Sequence, residues 1–99
     1  MNNSSSETRY FISYSGVTLP LNLVNELEDG LEQRITYFIG YYDNELLLKV
    51  EKIVYGEIEF THDYSYADNG SISKAVITED DEAPRILIFD EQGQASELC

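Results

Sequence analysis

Few side chains in this 99-residue chain can act as a nucleophile or general base: it holds one histidine, His62, and one cysteine, Cys99. Nucleophilic catalysis needs a nucleophile, a base and an orienting group within hydrogen-bond reach. Cys99 ends a polar stretch, so pairing it with His62 would require that stretch to fold back; it reads as an exposed thiol. His62 lies between Phe60 and Tyr64 on an alternating apolar pattern and reads as a core or sheet-margin histidine, with a ligand or base role as the alternative. No Cys/His cluster has the spacing zinc requires, and Asp63, Asp68 and Asn69 form acidic turns without the alternating ligands of a calcium loop. The six glycines fall singly, with neither phosphate-cradling motif. Nineteen acids guarantee some neighbouring carboxylates, so proximity alone identifies no acid–base pair. No metal and no cofactor is expected, and a non-enzymatic protein is the leading expectation.

Charge says more. Nineteen Asp and Glu against six Lys and Arg give a net charge of −13, which excludes an extended nucleic-acid footprint. The acidity concentrates after residue 50, where Glu57, Glu59 and Asp63 share one phase of an alternating segment and Glu79, Asp80, Asp81 and Glu82 form a run. Such a surface steers a basic partner. Eight tyrosines with no tryptophan are the second feature, because tyrosine buries a large ring while keeping a polar tip. Tyr41, Tyr55 and Tyr64 are the candidate anchors. No apolar run is long enough to span a membrane and the N-terminus has no signal-peptide pattern; with a single cysteine, this places the expectation in the reducing cytoplasm.

These residues must be positioned by strands. Residues 1–8 read as a disordered N-terminal tail, 9–90 as one β domain and 91–99 as a polar C-terminal tail. Tyr10–Ser15 alternates Tyr10, Ile12 and Tyr14 against Phe11, and Val17–Val24 reads as a second strand interrupted by Pro20. Leu23, Val24, Leu27, Leu31 and Ile35 follow a helical period, so at most one short helix is expected in 22–34. Thr36–Tyr42, Leu46–Tyr55, Glu57–Tyr66, Ser71–Thr78 and Arg85–Phe89 read as strands, with a bulge expected near 51–53 where Lys52 breaks the apolar phase. In Glu57–Tyr66, Ile58, Phe60, His62, Tyr64 and Tyr66 alternate with polar residues. Asp68-Asn69-Gly70 is a hairpin turn. The short connections make sequential strands neighbours. The expected fold is therefore mainly β: a single antiparallel meander of five to seven strands. Its apolar face must be covered by curling, by the 22–35 segment or by a second copy.

Three segments repeat an aromatic residue, an acid and turn residues before a strand: Tyr42-Asp43-Asn44-Glu45-Leu46, Tyr66-Ala67-Asp68-Asn69-Gly70-Ser71-Ile72 and Phe89-Asp90-Glu91-Gln92-Gly93. They resemble the tyrosine–aspartate repeats of bacterial Rhs-type shell proteins, which implies a β-hairpin at each. The phrases Tyr14-Ser15-Gly16, Leu19-Pro20-Leu21 and Tyr55-Gly56-Glu57 resemble those of a small, functionally uncharacterised bacterial family, which implies no catalytic residues.

The leading expectation is an acidic protein–protein interaction module, of an inhibitor, immunity or nucleic-acid-charge-mimicking kind. It would bind a basic protein surface through Glu57, Glu59, Asp63 and Glu79–Glu82, anchored by Tyr41, Tyr55 and Tyr64. The alternative is a small-molecule binder or simple enzyme with a pocket lined by Phe60, His62, Tyr64 and Tyr66. A homodimer covering its apolar sheet face is the third reading. Direct nucleic-acid binding and membrane insertion are not expected.

Overall fold

The computed structural model describes residues 6–16, 19–28, 34–79 and 82–98. Its strands are β1 (Ser6–Ser15), β2 (Asn22–Leu27), β3 (Thr36–Asp43), β4 (Leu46–Val54), β5 (Glu57–Tyr66), β6 (Ile72–Glu79), β7 (Arg85–Phe89) and β8 (Ala95–Leu98). They form one eight-stranded sheet in the order β2-β1-β3-β4-β5-β6-β7-β8, with every neighbouring pair antiparallel. The mainly-β single antiparallel sheet holds, with eight strands where five to seven were expected; the meander runs from β3 to β8, whereas β1 lies between β2 and β3.

The tight turns follow from local backbone chemistry. Asn44 and Glu45 have φ of 52° and 70°, and Tyr55 and Gly56 have φ of 53° and 78°. Each pair is the two-residue loop of a hairpin, between Asp43 and Leu46 and between Val54 and Glu57. Positive φ at both central positions matches the right-handed twist of the flanking strands. At the β5–β6 turn, Gly70 N–H donates to Ala67 O and Asn69 Oδ1 accepts from Ser71 N–H. At the β7–β8 turn, Asp90 Oδ1 accepts from the N–H groups of both Gln92 and Gln94.

Three register shifts curl the sheet. They fall at Tyr41/Tyr42, Lys52/Ile53 and Ser65/Tyr66, leaving Leu48, Glu59 and Ser73 as the extra residues. A bulge bends its strand and increases twist. The second shift lies where Lys52 breaks the apolar phase, but its additional residue is on β5. Consequently Ile58 pairs with Ile53 and leaves the face shared by Phe60, His62 and Tyr64, a departure from the in-phase alternation expected through Glu57–Tyr66.

The inner face carries the core. Phe11, Phe38, Leu47, Val50, Tyr64 and Ala75 are buried together with Leu21, and Leu19, Leu23, Tyr42, Phe60, Tyr66 and Leu87 pack around them. Lys52 remains on this face with its ammonium 6.0 Å from the rings of both Phe38 and Phe60, and pairs with Glu59 at 2.7 Å. The cover comes from β1 and β2. β1 pairs with β3 only through Phe11, while its pairing with β2 runs from Tyr10 to Ser15. Past Phe11 the strand therefore leaves β3 and takes β2 with it. Tyr14 then stacks edge-on against Phe38 at 5.5 Å, and Leu21 reaches Tyr64 on β5.

Three expectations are corrected here. Residues 22–27 are strand, and no helix occurs among the described residues; residues 29–33 of the expected helical segment lie outside them. Asn25 has φ of 63°, which a right-handed helix cannot accommodate, and pairing with β1 satisfies the backbone instead. The second strand starts at Asn22, after Pro20; residues 17–18 of the expected strand lie outside the described residues. The polar termini also contribute: Ser6–Thr8 pair with Tyr41–Asp43, and Ala95–Leu98 form an edge strand on β7.

Gly40 shows how tightly the cover fits. A Cβ there would lie 2.8 Å from Leu23 Cδ1 and 2.9 Å from Tyr42 Cε1. We expect Gly40→Ala to lower stability by about 1–3 kcal/mol, because overpacking forces neighbours off their rotamers. A urea midpoint equal to that of the native chain would contradict this fit.

Candidate functional site

In a meander, successive hairpins alternate between the two ends of the sheet. The β4–β5 turn and the β6–β7 connection therefore share one end. The direct pairing of Phe60 with Glu79 brings Glu57 and Glu59 beside Glu79 and Glu82. A cleft at this end is lined by Ile58, Glu59, Phe60, Thr61, Thr78, Glu79 and Glu82, and an adjoining one by Val54, Tyr55, Glu57, Ile58 and Glu59. Tyr55 is 77% exposed and Ile58 51%. Two cations stand nearby: Lys52, held by Glu59, and Arg85, which pairs with Glu97 and lies within the field of Glu79 and Glu82. Two apolar side chains thus stand in water among four carboxylates.

Tyr55 is unusual in a second respect. A bulky residue at positive φ is strained, and Asn or Gly suits this turn position better. Neither backbone preference nor packing calls for tyrosine there.

The other expected site residues fall elsewhere. Asp80 and Asp81 lie outside the described residues. Asp63 points to the outer face, opposite Lys49, because the bulge at Glu59 breaks the phase it was expected to share with Glu57 and Glu59. Tyr41 is also on the outer face, where its hydroxyl donates to Glu51 Oε1 at 2.8 Å and Lys49 Nζ lies 5.8 Å from its ring. Burial, and then the Glu51 carboxylate, push its phenol up to about 12.

Tyr64 is 5% exposed and is no surface anchor, because the cover lies over it. Its hydroxyl accepts from Leu21 N–H at 3.1 Å and lies 2.8 Å from His62 Nδ1. The hydroxyl oxygen has the two lone pairs and one proton needed to serve Leu21 N–H and His62 Nδ1 together. Burial lowers the His62 pKa to about 4 and raises that of Tyr64. Phe60, His62, Tyr64 and Tyr66 do come together on β5, but as packing. The Phe60 and His62 rings are 4.9 Å apart, and Tyr66 donates to Leu47 O at 2.6 Å. Among the described residues no group of three or more His, Cys, Asp or Glu side chains is arranged to hold a metal ion. Nor is any helix among them long and apolar enough to cross a membrane.

The fold and site define a single-layer antiparallel β protein with a folded-over hairpin and an acidic end bearing exposed apolar side chains. A family model matches residues 3–98, nearly the whole chain, and the protein belongs to that family, DUF6156, described as a family of unknown function. No curated protein and no solved structure matches it.

The buried dyad fixes a pH response. A histidine kept neutral by burial takes up its proton in the unfolded chain before the folded one, so its contribution to stability is lost as pH falls from about 6.5 toward 4. We expect the His62 ring protons to titrate by NMR with a midpoint near 4; a midpoint near 6.5 would place the ring in water. Tyr64→Phe should cost about 1–3 kcal/mol, since it leaves both Leu21 N–H and His62 Nδ1 without a partner.

Proposed function

We propose that this chain is a non-enzymatic interaction module that binds a basic protein surface at the end formed by the β4–β5 turn and the β6–β7 connection. The observation carrying this reading is Tyr55. It is an aromatic side chain that the turn disfavours and the fold leaves in water, beside exposed Ile58, Glu57 and Glu59, with Glu79 and Glu82 lining the adjoining cleft. Apolar anchors inside a charged rim are the composition of a protein-binding hot spot. The carboxylates supply steering and the choice of partner sign, while Tyr55 and Ile58 supply area to bury. A partner presenting Lys or Arg around an apolar cleft fits this chemistry, and an inhibitor, an immunity protein or a mimic of nucleic-acid charge would each use it. The cytoplasm, where the lone cysteine stays reduced, is the compartment we assign to it.

The likeness to Rhs-type repeats extends, in this reading, only to the turns. Each of the three aromatic–acid segments leads into a hairpin at the opposite end of the sheet, so the shared feature is hairpin chemistry.

The test is capture from native-host lysate with the tagged full chain at low and high salt. One partner with a basic surface, lost as salt rises, is the expected result, and no captured protein at either salt would refute the reading. With that partner in hand, Glu57→Lys with Glu59→Lys should slow association about tenfold or more while changing dissociation less. Tyr55→Asn should do the reverse of an ordinary surface mutation. It should raise stability by about 0.5–1 kcal/mol, through relief of the positive-φ strain, while weakening the complex at least about tenfold. Equal binding by the native chain and Tyr55→Asn would remove the anchor from the proposal.

A further inference from the structure

An asparagine amide can be attacked by the main-chain nitrogen of the residue that follows it. Glycine permits this most readily, because it has no Cβ to shield that nitrogen. Of the six asparagines, only Asn69 precedes a glycine. Asn69 and Gly70 are both exposed, at the tip of the β5–β6 turn. This turn stands at the end of the sheet opposite Tyr55.

The turn governs when that chemistry can run. Gly70 N–H donates to Ala67 O at 2.9 Å, Ser71 N–H donates to Asn69 Oδ1 at 2.9 Å, and Ala67 N–H donates to Ser71 O at 2.8 Å. The nucleophile and the amide it would attack are thus each bonded to a different neighbour. Ser71 N–H also polarises the Asn69 amide, which by itself favours attack. The Gly70 bond outweighs that effect. The attacking nitrogen must first lose its proton, which is held on Ala67 O, and Asn69 Cγ must swing from Ser71 onto the Gly70 nitrogen. We propose that Asn69 is a self-modification site, converting to aspartate and isoaspartate when the β5–β6 turn opens and protected while the turn is closed.

The reaction needs only water. Gly70 N gives its proton to hydroxide and attacks Asn69 Cγ. The new N–C bond forms, the Cγ–Nδ2 bond breaks, and Nδ2 leaves as ammonia with a proton drawn from water. Water then opens the succinimide ring. Attack at Cγ yields aspartate; attack at the main-chain carbonyl carbon yields isoaspartate, with the chain rerouted through the former side chain. Nothing is oxidised or reduced.

The two products suit the turn differently. Aspartate keeps an oxygen for Ser71 N–H and makes a chain of net charge −13 more acidic still. Isoaspartate inserts Cβ into the main chain, so the Gly70–Ala67 and Ala67–Ser71 bonds lose their common geometry, and the neighbouring Tyr66–Ile72 pair loses its register. Each such conversion is a lasting mark that the turn has opened. The site is remote from the partner-binding end and stands or falls independently of it.

The full chain is incubated at mildly alkaline pH, native in one sample and unfolded in guanidinium chloride in another. Peptides spanning Asn69 are then followed by mass spectrometry, with the isoaspartyl form separated. Asn69 should exchange its amide for an acid at least about tenfold faster in the unfolded chain, because two turn hydrogen bonds must break in the native one. Asn22, Asn25 and Asn44 should remain unchanged over the same interval. Gly70→Asp should keep the turn, since its Cβ would meet open space and aspartate tolerates positive φ, yet slow conversion of Asn69 in the unfolded chain severalfold. Asn69→Asp should retain the native guanidinium midpoint, whereas the refolded isoaspartyl chain should have a lower one. Equal rates in native and unfolded chains would overturn the protection by the turn. An Asn69 that outlasts Asn22, Asn25 or Asn44 in the unfolded chain would overturn the site itself.

Discussion

The structure depends on one crossing. After Phe11, β1 stops pairing with β3, and the hairpin it begins folds over the inner face until Leu21 N–H meets the Tyr64 hydroxyl. A single β layer of this size has no other way to remove Phe38, Val50 and Ala75 from water, since the described residues include no helix to lay across it. The contact joins positions 43 residues apart, so it closes the fold at a considerable cost in chain entropy, and the apolar area under Leu19, Leu21 and Leu23 must offset that cost. The hydrogen bond itself adds about 1 kcal/mol net. Its larger effect is on where the hairpin can lie. A misplaced hairpin leaves the Leu21 N–H without the Tyr64 oxygen it donates to, a buried donor unpaired.

Much of this was legible because β periodicity is local. The β3–β7 strands, the hairpin turns and the fault near Lys52 follow from alternation and from residues that accept positive φ. The aromatic–acid repeat has a simple origin as well. Asp43, Asp68 and Asp90 recur at an interval of two strands and two turns, which is the distance along a meander between successive turns at the same end.

The features that were not legible share a cause: each is fixed by a partner distant in sequence. Leu23, Val24 and Leu27 fit one side of a helix as well as they fit a strand, and only β1 decides between them. Ser6–Thr8 and Ala95–Leu98 bury almost nothing, so no apolar pattern marks them; what holds them is backbone pairing, which side-chain composition does not record. The extra residue Glu59 is invisible in Glu-Ile-Glu-Phe, which reads as unbroken alternation although the strand changes phase there. Of the candidate site, Glu57, Glu59, Glu79, Glu82 and Tyr55 lie at one end of the sheet, while Asp63 and Tyr64, grouped with them by strand phase and residue type, lie elsewhere. Asp63 was moved by the bulge, and Tyr64 was claimed by Leu21.

The same bulge separates two kinds of surface on a chain whose composition gives only one average charge. Before Glu59, β5 presents Glu57 and Ile58 at the sheet end; after it, Thr61 and Asp63 face Glu51 and Lys49 across the ladder. The excess acidity thus gathers at the turns and connections, where solvent screens it and a partner can approach, and the middle of the outer face is left close to neutral. An evenly acidic sheet would repel its own copies and any acidic neighbour alike. A sheet with a charged end and a balanced centre selects partners by sign at the end alone, while its centre adds little to the long-range field. On this view the net charge of −13 is a property of the rim of the protein, and the few lysines are informative mainly for where they stand.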